Sequence, residues 1–172
     1  MTLYIHNQTL PQVMSEMFPA GERLFHRMKH LLDKLELRYA IDEDNDFQLI
    51  ITGEDIAPQL RILILREGVM REVLALIVRF EGDLPTWTEE EALRIANHWN
   101  TVRRWPRIFW KNGHFHGDFH IDLEADVSQE FLEMNLKHFL GSSLQFALYI
   151  TGREGDLINR LSKRFLDDFR LN

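Results

Sequence analysis

Cysteine is absent from this chain, which removes disulfides, thiolate nucleophiles and every zinc or iron–sulfur site built on cysteine ligands. Long apolar runs are missing too: no stretch reaches the about 18 uninterrupted apolar residues that a membrane-spanning helix needs. The opening "MTLYIHNQTLPQVM" has neither the basic start nor the continuous apolar block of a secretory signal. A cytoplasmic protein with no membrane association is the expectation. Positive charge is in deficit, with 20 Lys and Arg against 27 Asp and Glu for a net charge of −7. That balance argues against a general affinity for nucleic acid or anionic lipid and favours protein or small-molecule partners. Glycine and proline are sparse, nine and five in all, and no linker, repeat or low-complexity tract divides the chain.

What is present suits one domain over residues 1–172, since 45% hydrophobic residues in a chain of this length supply one well-buried core and are short for two. Pro11 opens a short amphipathic turn within an N-terminal extension (1–20). A helix is expected from about Glu22 to Leu37, with Leu24, Phe25, Met28, Leu31, Leu32 and Leu35 at helical spacing. Strands follow in "LRYAI" and "FQLIIT", parted by the polar turn "DEDND", then in "LRILILRE" and "REVLALIVRF" around Gly68. Their apolar runs are nearly continuous, a pattern of strands covered on both faces, by helices on one and by another layer or a second subunit on the other. Thr88 and Glu91 stand at capping-box spacing before a helix whose buried stripe reads Ala92, Ile95, Ala96, Trp99 and Val102. Asn112-Gly113 marks a two-residue hairpin turn. Ser128 then caps a helix carrying Leu132, Leu136, Phe139 and Leu140, with Val127 and Leu132 as a hydrophobic staple and a bend expected near Gly141. A C-terminal helix is expected in 153–172, with Ile158, Leu161, Phe165 and Phe169 along one side. The element order gives an α+β fold: an antiparallel sheet with helices packed on one face.

The stretch "KNGHFHGDFHIDLE" places His114, His116, Asp118 and His120 on one alternation of a strand, a candidate metal site. Building the hairpin outward from the turn sets Lys111 opposite His114, Phe109 opposite His116, Arg107 opposite Asp118 and Trp105 opposite His120. Two fixed cations among the ligands would repel a divalent ion, and Asp118 serves Arg107 better. The expectation is a polar or subunit-facing strand with no metal, and Ile108, Trp110, Phe115, Phe119 and Ile121 as the core side. His26 and His30 share i, i+4 spacing but lack the general-base Glu of zinc peptidases and sit among cations. "RRWPRIFWK" mixes cations and rings as a single-strand nucleic-acid platform would, yet cross-strand pairing and core packing explain it on an acidic chain. The acids at 42–46 read as a turn and those at 89–91 as helix-dipole partners. No phosphate-binding loop, dinucleotide fingerprint or nucleophile elbow occurs. No enzyme activity and no cofactor are expected.

The run from Ala92 to Phe139 resembles the YbjN family, grouped as candidate bacterial sensory-transduction regulators. The resemblance is carried by Asn97, Trp99 and Asn100 in "NHWN", by Arg103 or Arg104, by the strand and Asn-Gly turn, by an acidic strand ending "DLEAD" and by the serine-initiated helix. It spans residues 22 to 150 and implies a fold similar to type III secretion chaperones, with dimerisation and protein binding and without catalytic residues. Within it, Trp99 is expected to anchor its helix on the sheet, and Asn100 to hydrogen-bond backbone near the helix end. The function this implies is a non-enzymatic, homodimeric binding or regulatory protein. The alternative is a secretion-type chaperone, which genomic adjacency to a secreted effector would single out.

Overall fold

The computed structural model describes residues 20–53, 56–69, 71–123 and 127–153. The expectations for 1–19, for the C-terminal helix with its Leu161, Phe165 and Phe169 stripe, and for the "EAD" that ends the acidic strand fall outside the described residues.

Helix α1 (Ala20–Lys34) buries Leu24, Met28, Leu31 and Leu32, the stripe its spacing predicts. It stops three residues earlier than the apolar pattern suggests. Glu36 takes the left-handed conformation with φ 53°, its N–H donates to Asp33 O, and the Leu37 N–H donates to Leu32 O at 3.0 Å. This pair of bonds closes a helix C-terminus usually marked by glycine; with Glu in that place the stop carried no signal.

Strands β1 (Tyr39–Ile41), β2 (Phe47–Gly53), β3 (Ile56–Glu67) and β4 (Val73–Glu81) follow as an antiparallel meander. The Asp42–Asp46 segment is the expected turn: Asp42 Oδ1 accepts from the N–H groups of Asp44 and Asp46. Helix α2 (Glu89–Val102) starts with a complete capping box, Thr88 accepting from Glu91 N–H while the Glu91 carboxylate accepts from Thr88 N–H. Strands β5 (Arg107–Lys111) and β6 (His114–Asp122) form the hairpin. Asn112 and Gly113 both have positive φ, 51° and 77°, as a primed turn demands. Helix α3 (Gln129–Ile150) continues through Gly141–Ser143, where the buried Ser143 hydroxyl donates to Phe139 O at 2.7 Å. Ser128 accepts from Phe131 N–H at its start. Ser128→Ala is expected to cost about 1 kcal/mol in urea denaturation, the usual worth of an N-cap.

The six strands run in the order β1-β2-β3-β4-β6-β5, every neighbouring pair antiparallel. One face carries Phe47, Leu49, Leu60, Ile62, Ile64, Leu74, Leu76, Val78, Phe80, Ile108, Phe115 and Ile121, all buried. The helices pack there: Phe25 of α1 stacks on Phe47, and Phe146 of α3 meets Phe80, Phe115 and Trp99 of α2 edge to face. Gly117 of β6 is on this face, and a Cβ there would come within 3.0 Å of both Ile108 Cδ1 and Val78 Cγ1. A larger residue would therefore push on its neighbours in the sheet by a few tenths of an ångström.

One core expectation needs correction. Val102 is 58% exposed: it is the last residue of α2, and Arg103 turns the chain into extended conformation, φ −125° and ψ 143°, so the buried stripe ends at Trp99. Of the cover expected on both faces, the helices supply one. Among the described residues no helix lies over the opposite face, where Ile50 is 51% exposed and Leu63, Leu65 and Ile77 are half-buried.

Candidate protein-binding face and the hairpin that borders it

At the corner where α2 meets the hairpin, Trp99 is 3% exposed and its Nε1–H donates to Pro106 O at 3.2 Å. One residue on, Asn100 reaches the outer side of β5, its Nδ2 donating to Ile108 O at 2.8 Å and its Oδ1 accepting from Ile108 N–H at 2.9 Å. A primary amide carries a donor and an acceptor side by side, the same pair a neighbouring strand would offer. Asn100 thereby occupies one of the outward backbone sites of the sheet's β5 edge, which otherwise invites strand addition. Asn100→Ala strips both bonds and is expected to lower stability by about 1–3 kcal/mol; faster amide exchange at Ile108 would localise the loss. Asn97 is exposed, and Arg104 lies with its guanidinium 5.6 Å from the Trp105 ring centroid.

The hairpin register is Lys111↔His114, Phe109↔His116 and Arg107↔Asp118, as built outward from Asn112-Gly113. It fails at the next step. The paired residues end at Arg107, and Trp105 packs on Phe119 with ring centroids 4.9 Å apart instead of standing opposite His120. Trp105 therefore leaves the histidine side. Phe109 stays there, stacked on His116 with planes 14° apart.

Arg107 grips Asp118 with two parallel hydrogen bonds, Nε to Oδ1 at 3.0 Å and Nη2 to Oδ2, and this raises the guanidinium's proton affinity. His114 and His120 are six residues apart on an extended strand, about 20 Å, too far to share one ion. Among the described residues no group of three or more His, Asp or Glu is placed to hold a metal ion. His116 is held below its ordinary pKa by burial first and then by Arg79, His114 and Lys111.

Cross-strand pairing extends this side of the hairpin into rows over the open face. One row reads Ile50, Arg61, Arg79, His116 and Phe109; the next Gln48, Leu63, Ile77, Asp118 and Arg107; then Leu65, Ala75 and His120; then Glu67, Val73 and Asp122. Two rows of aliphatic side chains on the central strands lie between charged ends. At one end Arg61 and Arg79 converge on a single carboxylate oxygen of Glu81, at 3.3 and 3.1 Å. At the other, Glu67 lies 3.6 Å from His120 Nε2.

Compared with known proteins, residues 25–151 match the model of the YbjN family, described as "Putative bacterial sensory transduction regulator". The chain belongs to the YbjN family. Among solved structures, the crystal structure of YbjN from E. coli is similar in fold, with a TM-score of 0.55 at 9% identity over 75% of this chain and 92% of that one. The HopA1-SchA chaperone-effector complex contains a chain with a TM-score of 0.48 at 18% identity, covering 72% of this chain and 93% of that chain. No curated protein matches the sequence.

The remaining candidates of this YbjN-family chain resolve into local structure. His26 and His30 are on the exposed side of α1, His26 edge-on to Phe25. The aromatic and basic residues of "RRWPRIFWK" do not form one platform. Trp110 packs edge to face on Phe115, Trp105 joins Phe119, and Phe109 lies on the opposite side; Arg103 covers the Trp99 ring at 5.7 Å and Arg107 is committed to Asp118. The backbone that Asn100 bonds is that of Ile108, eight residues on in the chain, and not that of its own helix end. No helix among the described residues is long and apolar enough to cross a membrane.

Proposed function

We propose that this chain is a non-enzymatic bacterial binding and regulatory protein of the YbjN type, a single cytoplasmic domain acting through protein–protein contacts as a homodimer. The observation that carries this reading is the open sheet face. Strands β3 and β4 spend one alternation of side chains on the helix-covered core and still place the half-buried Leu63, Leu65 and Ile77 on the other side, around a fully buried Ala75. Contiguous aliphatic surface between charged rims is the composition of contact surfaces. Family membership supports the regulatory part, and the hydrogen-bonded state of the hairpin residues supports a role by contact: Asp118 is held by Arg107, Asn100 by backbone, Trp99 by Pro106.

Light scattering coupled to size exclusion at micromolar concentration tests the reading. The expected result is twice the mass of one chain. A single-chain mass throughout the micromolar range would defeat the homodimer. Affinity purification from the native organism then identifies the regulated protein by mass spectrometry.

A further inference from the structure

The open face is not uniform along its strands, and its polarity selects an occupant. Among the described residues of these rows, Arg61, Arg79 and the neighbouring Lys111 set three cations against the carboxylate of Glu81. Two arginines directly across a strand pair repel each other, so this end keeps unsatisfied attraction for an anion. About 20 Å along the strands, three rows away, Glu67 and Asp122 make the far end acidic. The side chains of Arg61, Arg79 and Glu67 are 43%, 42% and 47% exposed, open to a partner at both ends. Between them are the aliphatic rows.

We propose that a second copy of this chain covers the face, turned end for end about a two-fold axis that crosses the strands between the Leu63–Ile77 row and the Leu65–Ala75 row. This rests on the homodimeric reading above and adds the surface and the symmetry. The rotation keeps each strand over its own counterpart and reverses its direction. Arg61 then stands over Glu67 of the second copy, His116 over its Asp122, and Asp118 over its His120. In the middle Leu63 meets Leu65, and the half-buried Ile77 stands over the recess left by the small, fully buried Ala75, as interlocking layers about 10 Å apart require. His116, lowered in proton affinity by burial and its cationic neighbours, gains a carboxylate. A two-fold axis along the strands would instead lay Arg61 and Arg79 of one copy on the same pair of the other, where like charges oppose binding. The charge pattern thus fixes the direction of the axis as well as the face.

A charge-swap experiment on the full chain, read by analytical ultracentrifugation, tests this. Arg61→Glu alone and Glu67→Arg alone each place like charges at both contacts of the dimer, and each is expected to raise its dissociation constant at least about tenfold. Mixing the two variants restores opposite charges at both contacts, so the heterodimer should recover wild-type affinity. Nothing within one chain can produce that recovery, because Arg61 and Glu67 are too far apart to meet. Ile77→Glu should leave a monomer with native circular dichroism. If the wild type is a dimer and Ile77→Glu leaves it intact, the face is wrong and the homodimer reading survives. If the single variants weaken association and mixing fails to restore it, the symmetry is wrong. If the wild type is monomeric, the homodimer reading falls and takes this inference with it.

Discussion

Phe146→Ala is expected to lower the unfolding free energy by about 3–5 kcal/mol, the range for emptying a buried aromatic site. Phe146 is fully buried and is the point where layers of the fold converge. Its ring meets Phe80 of β4 at 4.9 Å, Trp99 of α2 at 5.1 Å and Phe115 of β6 at 5.2 Å, all close to edge on. Such pairs contribute beyond the area they bury. The ring joins the C-terminal part of α3 to strands that are distant in sequence, so surrounding groups are held from several directions and collapse poorly into the void. Urea denaturation followed by circular dichroism measures the loss. An unchanged slope with a shifted midpoint is expected, and a loss below about 1 kcal/mol would show that the cluster is not the centre of the core.

Trp99→Ala should be of similar size, about 3–5 kcal/mol, for a partly different reason. The indole packs on Phe146 and Tyr149 and also holds Pro106 O by a buried hydrogen bond. Trp99→Phe separates the two contributions: it keeps an aromatic ring and leaves the carbonyl unpaired, so a loss of about 1–3 kcal/mol is expected. Because Trp99 and Phe146 touch, the double alanine variant should lose less than the two single losses combined. Additive losses would mean that the rings act independently and that the edge-to-face contact contributes little.

Local chemistry was legible before any coordinates. Thr88, Glu91 and Ser128 cap their helices because short polar side chains satisfy exposed N–H groups wherever a helix starts, and that need is independent of the rest of the fold. The Asn112-Gly113 turn fixed the hairpin register from Lys111↔His114 to Arg107↔Asp118, since a two-residue turn leaves one register available. Beyond Arg107 that register does not continue, and Trp105 turns to Phe119. The stop of α1 at Lys34 has no mark in the sequence, because Glu36 fills a position where glycine is the usual sign. Strand alternation puts His114, His116 and His120 on one side of the hairpin, and strand rise spaces the outer pair beyond the reach of one ion.

Among the described residues, the sequence by itself determined the elements, the two helix caps, the hairpin and most of the apolar stripes, for these depend on interactions within a few residues of each other. The tertiary structure decided that β4 pairs with β6 and that Asn100 closes part of the β5 edge. It also turned scattered charges at 61, 67, 79 and 122 into two opposed ends of one surface. Those outcomes depend on which strands become neighbours, and neighbour choice is a contest among long-range contacts that no local pattern records.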